Sequence, residues 1–470
     1  MENTRLIALI ATLSNKEIKG MHQFLNSPFF NNRASVTRLF LYLTDNMTLH
    51  KLIPTREDSY YYVISSKNKT EPYDDQQIRL WMSYLLKLIE KFLVHHSFFE
   101  DEINVKTKLA EIYRQRNLPK HQERNLSELQ KLINKSTFRN AAFYSNDFRL
   151  QLEQYRFQSS NKRMSELNLQ KMTDSLDVSY ISQKLRQSCF AMAHQTVYKT
   201  EYNLGPLKEI ITYIDNTDLL EIPAISVFYY AYKIMVEPDV TSNFHQLKKL
   251  LVESENKFTK EEFGDLFILA INFCIKRYNA GDRAYLKDEF EIYKHGIEQN
   301  LFLTNNMLSR FTYRNVVTVA LVLEEYEWAE KFIGDYKNKI DKAYRESMYS
   351  FSMARLEYSR KNYSSALVLL QKAIYKDLLL NLAAKTVMLK IYFELEEFDL
   401  LDAHLGAMQT FIKRKNIIGY HKDNYLNLVY FTKKLMEVNP YDKSEKEQLR
   451  DTIASKKAIA EKEWLLVQSA

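Results

Sequence analysis

Apolar residues recur along this chain at three- and four-residue spacings, the period of helices with one face on a core. Ser14, followed three residues later by Glu17, forms a capping box, and Ile18, Met21, Phe24 and Leu25 share one face of the helix it opens. That helix should run to about Asn26 and stop at Ser27-Pro28, because proline disfavours helical geometry in the residue before it. A second helix beginning near Ala34 carries Val36, Leu39, Phe40 and Leu43. Residues 74–96 read as one long helix whose wide stripe, Ile78, Trp81, Met82, Leu85, Leu86, Ile89, Phe92 and Leu93, needs cover on more than one side. We take it as the spine of an irregular helical N-terminal region, residues 1–100. His95 and His96, adjacent and therefore diverging around the helix, suit a helix end better than a metal.

Longer and more polar helices are expected over residues 101–204, at 105–116, 122–134, 138–158 and, as one or two helices, from Met164 to Tyr202. Leu118-Pro119 marks a break, and the aromatic faces around Phe143, Phe148, Tyr155, Phe157, Phe190 and Val197 are read as core. Gly205-Pro206 is a boundary candidate. After it the helices pair, at 206–216, 223–236, 244–255 and 260–279, then at 283–299 beyond the turn Ala280-Gly281-Asp282. Pro206 and Pro223 stand at helix starts, where a missing backbone N–H costs nothing. A closing helix from Tyr420 to Val438 is followed by Asn439-Pro440. Residues 441–470 then form a charged helix running to about Trp464, with Trp464, Leu465 and Leu466 folding back as a cap.

Between residues 311 and 414 the pattern repeats. An aromatic, then a small or apolar residue three later, with further apolar positions four and seven beyond that, gives Tyr326, Ala329, Ile333 and Tyr336. The same frame gives Tyr363, Ala366, Leu370 and Ala373, and then Phe398, Leu401, Leu405 and Met408, the aromatics lying 37 and 35 residues apart. In the helix before each aromatic, Val317 and Leu321, Ala354 and Tyr358, and Leu389 and Phe393 hold matching places. A period two helices long is the mark of a stack in which neighbouring units cover each other's apolar faces.

The stretch ARLEYSRKNYSSALVLLQKA, residues 354–373, resembles a tetratricopeptide repeat: a small residue in the first helix, an aromatic a turn later, a short polar turn, then Tyr363, Ala366 and Ala373. In the flanking copies Val317 and Leu389 replace the small residue and Leu401 replaces the alanine, and the closing proline is absent from all three. The resemblance implies an all-α fold, with residues 205–440 as a curved right-handed solenoid of helix pairs and the first helix of each pair on the concave face.

Composition narrows the function. Eight Gly and eight Pro in 470 residues, far below the usual share, suit helices joined by short polar turns. Two cysteines, Cys189 and Cys274, exclude a disulfide framework and favour a reducing compartment, so cytoplasmic residence is the expectation. The apolar run of residues 6–13 is short for a signal peptide, and no stretch approaches the roughly 20 apolar residues that cross a bilayer. The formal charge of +7 is small for this length and its signs are interleaved, which argues against a nucleic-acid track. Glycine-rich phosphate loops and the HExxH, CxxC and GxSxG signatures are absent. Cys189 and His194, five apart on a helix, diverge, and the carboxylate pairs Glu324-Glu325 and Glu396-Glu397 fall at helix junctions. Neither an enzyme nor a cofactor is expected.

The expectation is therefore a non-enzymatic scaffold or adaptor that binds a protein or peptide in the concave groove. Two alternatives are a helical-repeat protein reading single-stranded RNA and a peptide-sensing transcriptional regulator with an N-terminal DNA module. On the resemblance, the exposed side of the first helices carries Arg314, Arg355 and Lys390, with Tyr358 and Phe393 beside the latter two. Cations recurring there favour an acidic peptide or a chain-terminal carboxylate, with the aromatics adding apolar contact. The carboxylate clamp of chaperone-binding tetratricopeptide proteins is not reproduced, since Phe351 and Thr386 stand where one of its basic residues would be.

Overall fold

The structure, a computed structural model, describes residues 1–65, 69, 71–161, 166–198, 200–414, 419–439 and 441–470. Met164 and Pro440, and the side chains of Val197 and Tyr420, lie outside the described residues. Helices dominate, so the all-α expectation holds. The chain divides into two units, Met1–Ile181 and Ser182–Ala470.

The first unit contains α1 (Arg5–Ile10), α2 (Asn15–Asn26), α3 (Ala34–Asp45), α4 (Arg56–Val63), α5 (Asp75–Glu100), α6 (Glu102–Gln115), α7 (Pro119–Lys135), α8 (Ala141–Asn161) and the start of α9 (Leu169–Tyr198). The capping box forms as read: Ser14 Oγ accepts from the Glu17 N–H at 3.3 Å, and a Glu17 carboxylate oxygen accepts from the Ser14 N–H at 2.7 Å. The stripe on α5 is covered from several sides, α5 touching α1, α2, α3, α4 and α6, with Ile78, Leu85 and Ile89 wholly buried. This helix continues past His95 and His96 to Glu100, so neither histidine caps it. His95 instead packs among the rings of Phe24, Phe30 and Phe99, edge-on to the first two, and His96 Nδ1 lies 3.4 Å from Glu100. Pro119 opens α7 at its first helical position, while α6 closes earlier on the left-handed Asn117, with the Leu118 N–H donating to the Tyr113 carbonyl at 2.9 Å. Two short helices went unread: α1 and α4 begin at capping threonines, Thr4 and Thr55, but carry too few turns for a period to show.

The second unit takes the rest of α9, then α10 (Leu207–Asp215), α11 (Pro223–Val236), α12 (Thr241–Glu253), α13 (Lys260–Asn279) and α14 (Tyr285–Glu298). A two-stranded hairpin follows, β1 (Leu303–Thr304) and β2 (Met307–Leu308). Its corner residues, Asn305 and Asn306, have φ of 50° and 62°, the left-handed pair that a tight two-residue turn requires and asparagine tolerates. Next come α15 (Arg310–Val322), α16 (Tyr326–Tyr336), α17 (Arg345–Ser359), α18 (Tyr363–Lys372), α19 (Leu378–Glu394), α20 (Phe398–Arg414), α21 (Gly419–Glu437), α22 (Lys443–Ser455) and α23 (Lys462–Gln468). From α11 on, successive helices pack in pairs, α11 with α12, α13 with α14, α15 with α16, α17 with α18 and α19 with α20. In addition α15 packs on α17 and α17 on α19.

The repeat frame coincides with burial and with the turns. Val317, Ala354 and Leu389 on the first helices, and Ala329, Ala366 and Leu401 on the second, are all essentially without solvent exposure. Each first helix ends on a left-handed residue, Glu324, Lys361 and Glu396, with φ of 62°, 65° and 59°. The next N–H reaches back five residues in every case: Glu325 to the Ala320 carbonyl at 2.9 Å, Asn362 to Glu357 at 2.8 Å and Glu397 to Tyr392 at 2.9 Å. This is the Schellman closure of a helix, which satisfies carbonyls the helix end leaves free. The same turn three times in register gives the paired helices a common entry geometry.

One expected element is corrected. The C-terminal charged helix does not run unbroken to Trp464 but stops at Ser455, and α23 begins at Lys462. Tertiary hydrogen bonds draw the intervening backbone out, with Asn427 Nδ2 donating to the Ala458 carbonyl at 2.6 Å and the Ala460 N–H to the Asn424 carbonyl at 3.1 Å. Leu465 is then buried with Leu389, Leu401 and Leu428, so the end of the chain does fold back over the last pairs.

Two glycines separate packing from propensity. A Cβ on Gly264 of α13 would stand 2.8 Å from the Leu301 carbonyl oxygen, a backbone atom with little room to move, whereas one on Gly334 of α16 would meet nothing within 4 Å. Gly334→Ala should therefore stabilise by about 0.5–1 kcal/mol, the helical preference of alanine over glycine. Gly264→Ala should destabilise by roughly 1–3 kcal/mol as overpacking outweighs that gain. Denaturant unfolding of the two variants checks this, and equal signs would contradict the described packing of α13.

Candidate functional site

A hollow of about 300 Å³ in the second unit is walled by one face of α15, α17 and α19. From α15 come Arg314, Thr318, Leu321 and Val322; from α17 Phe351, Arg355, Tyr358 and Ser359; from α19 Ala383, Thr386, Val387 and Lys390. The repeat places these residues. Arg314, Phe351 and Thr386 hold equivalent positions 37 and 35 residues apart, and Thr318, Arg355 and Lys390 hold the next set one turn along. Such i, i+4, i+7 spacing keeps the side chains on one face of each helix, so three separate helices present one surface. Tyr425 of α21 and Glu461 complete the wall.

Four of the five residues expected in a groove, Arg314, Arg355, Tyr358 and Lys390, line this hollow together. Their states differ. Arg355 is half-buried, donates from Nη1 to Thr318 Oγ1 at 2.7 Å and lies over the Phe351 ring. Burial lowers its guanidinium pKa from the ordinary value, the nearby Glu461 opposes that shift and Arg314 adds to it. Thr318 is held for this role, because its hydroxyl donates to the Arg314 carbonyl at 2.7 Å while accepting from Arg355. Lys390 is ion-paired with Glu461 and sits about equally far from the Tyr358 and Trp464 rings. Arg314 is partly exposed, and among the described residues its side chain meets no carboxylate and makes no hydrogen bond.

Tyr358 contributes its ring to the wall while its hydroxyl is bonded to Glu394. Glu394 also accepts from Tyr363 at 2.5 Å and from Trp464 Nε1 at 3.0 Å, and lies 3.4 Å from Lys361. These donors hold its carboxyl below the usual range although burial pulls the other way. The fifth expected residue, Phe393, is not on the wall. It is equivalent in the repeat to Leu321 and Tyr358, yet the ring of Trp464 stands edge-on to it at 5.3 Å and Phe398 at 6.2 Å. The C-terminal segment thus covers Phe393.

Thr318, Tyr425 and Glu461 were missed by sequence reasoning. Thr318 carries a signal, being in register with Arg355 and Lys390. Glu461 carries none, since it lies outside the repeat and reaches the hollow from a left-handed backbone at φ 55°. In the first unit a separate aromatic hollow of about 740 Å³ lies between the end of α2 and the last turns of α5, where Phe29 is 88 % and Phe99 59 % exposed. Among the described residues no cluster of three or more His, Cys, Asp or Glu could hold a metal, and no helix is long and apolar enough to cross a membrane. Comparison with protein-family models, curated proteins and solved structures finds no match to the chain.

Proposed function

We propose that the second unit is a tetratricopeptide-like stack of helix pairs, curving as a right-handed solenoid, which holds a protein or peptide segment against its first helices. The chain is on this reading a non-enzymatic interaction scaffold. The observation that carries it is a hollow of about 300 Å³ built from equivalent faces of α15, α17 and α19. Recurring Schellman turns support a shared geometry for these pairs, and the packing of α15 on α17 and α17 on α19 sets the first helices side by side. Such a surface favours an extended or helical segment, which touches several repeats at once, over a compact small molecule. Cys189 and Cys274 are unpaired and buried, which fits a reducing compartment such as the cytoplasm.

The test is peptide selection from a random library on the full chain, followed by photo-crosslinking from two positions. Val322 lines the hollow, whereas Val368 lies on α18, a second helix, and is 64 % exposed. A photoreactive residue at Val322 should capture the selected peptides and one at Val368 should not. Crosslinking from Val368 alone, or no selectable peptide, would contradict the reading.

A further inference from the structure

The charges around the hollow do not balance. Among the described residues three cations, Arg314, Arg355 and Lys390, line it against one carboxylate, Glu461, which is ion-paired with Lys390 and acts on Arg355 only at longer range. Two guanidiniums remain. Among the described residues Arg355 has one hydrogen-bond partner, the hydroxyl of Thr318, for its five N–H donors, and Arg314 has none. Two like charges brought together and partly withdrawn from water repel each other, and a half-buried guanidinium without a carboxylate gives up hydration for little return. The arrangement makes sense as one half of an interaction.

We propose that Arg314 and Arg355, steadied by Thr318, form a receptor for two adjacent carboxylate side chains of a bound acidic segment, and that Glu461 closes the third cation off from it. This rests on the groove reading above and names the chemistry of its partner. Three features favour an acidic protein segment. Surplus charge in the hollow is two, matching a pair of Asp or Glu side chains, and the planar fork of arginine suits carboxylate oxygens two at a time. The apolar neighbours Leu321, Val322 and Val387 offer contact to the residues flanking such a pair. Finally the chain supplies its own example, since the Glu461 side chain already reaches a cation of this wall. Pairing Lys390 internally makes the receptor a two-arginine site, because Lys390 occupies the carboxylate that would otherwise compete for Arg355.

The experiment measures fluorescence anisotropy of a labelled peptide carrying two adjacent glutamates between leucines, and of its glutamine counterpart, with the full chain. The glutamate peptide should bind at least about tenfold more tightly. Arg314→Gln should weaken it by about tenfold or more, and Arg314→Gln with Arg355→Gln should abolish the preference over the glutamine peptide. Lys372→Gln, exposed on α18 and outside the hollow, should leave binding within about twofold. Arg314→Gln is the decisive variant, because a side chain without internal partners can be changed without loss of fold, which the thermal melt of each variant verifies. Equal affinities for both peptides, undiminished by Arg314→Gln, would overturn the acidic receptor while capture from Val322 left the groove reading standing. Failure of both peptides together with no capture from Val322 would overturn both. Displacement of the glutamate peptide by millimolar inorganic phosphate would assign the two arginines to a phosphate group and overturn the proposal as stated.

Discussion

Ala366→Trp is expected to destabilise the protein by at least about 2–3 kcal/mol, the upper part of the range for inserting bulk into a packed core. Ala366 has no solvent exposure and sits at the third position beyond Tyr363 on α18, where this helix meets α17. Ala354, the small residue of α17, is equally buried. Two alanines on paired helices set a short distance between the axes, and an indole at either place must push the pair apart or bury itself off-rotamer. The comparison is Val368→Trp, two residues on and 64 % exposed on the same helix, which should change stability by no more than about 0.5 kcal/mol. Denaturant unfolding of both variants reads the difference. An Ala366→Trp protein that melts within about a degree of the parent, when a loss of this size should move the midpoint by several degrees, would show the frame to be misassigned.

Glu289→Gln is expected to change how stability depends on pH. Glu289 lies on α14 with only 3 % exposure, and burial pushes its carboxyl up from 4.5 to about 7. Below pH 4.5 it is protonated both folded and unfolded and costs nothing. Between about 4.5 and 7 the folded protein holds a proton that the unfolded chain has released, so each rise in pH costs stability, at most about 1.4 kcal/mol per unit. Above pH 7 the penalty is complete, roughly 3 kcal/mol at most. Glutamine removes the ionisation, so the variant should gain on the parent as pH rises from 4.5 to 8, while the difference at pH 4.5 reports only the exchange of an acid for an amide. A difference that is the same at both pH values would mean that Glu289 is ionised in the fold at no cost.

Local structure was legible wherever period and punctuation agreed. The α2 capping box, α11 opening at Pro223 and α13 spanning Lys260–Asn279 were read to within a residue, because each joins an apolar face to a capping or proline signal. The three repeat turns were placed by their aromatics, although their left-handed residues are Glu, Lys and Glu rather than glycine and give no sign of themselves. What escaped was decided at a distance. The break before α23 depends on Asn424 and Asn427 of α21, and the hairpin at Asn305-Asn306 is too short for alternation to show. The groove was half legible for the same reason. Arg314, Arg355, Tyr358 and Lys390 follow from the frame, whereas the pairing of Lys390 and the covering of Phe393 are the work of Glu461 and Trp464, residues outside the repeat.

The most direct measurement is the structure of the full chain with a selected acidic segment bound. The segment should lie across α15, α17 and α19 with its carboxylates between Arg314 and Arg355, and with the Lys390–Glu461 pair intact. A segment lodged in the aromatic hollow beside Phe29 and Phe99, or along the second helices at Val368, would contradict the account.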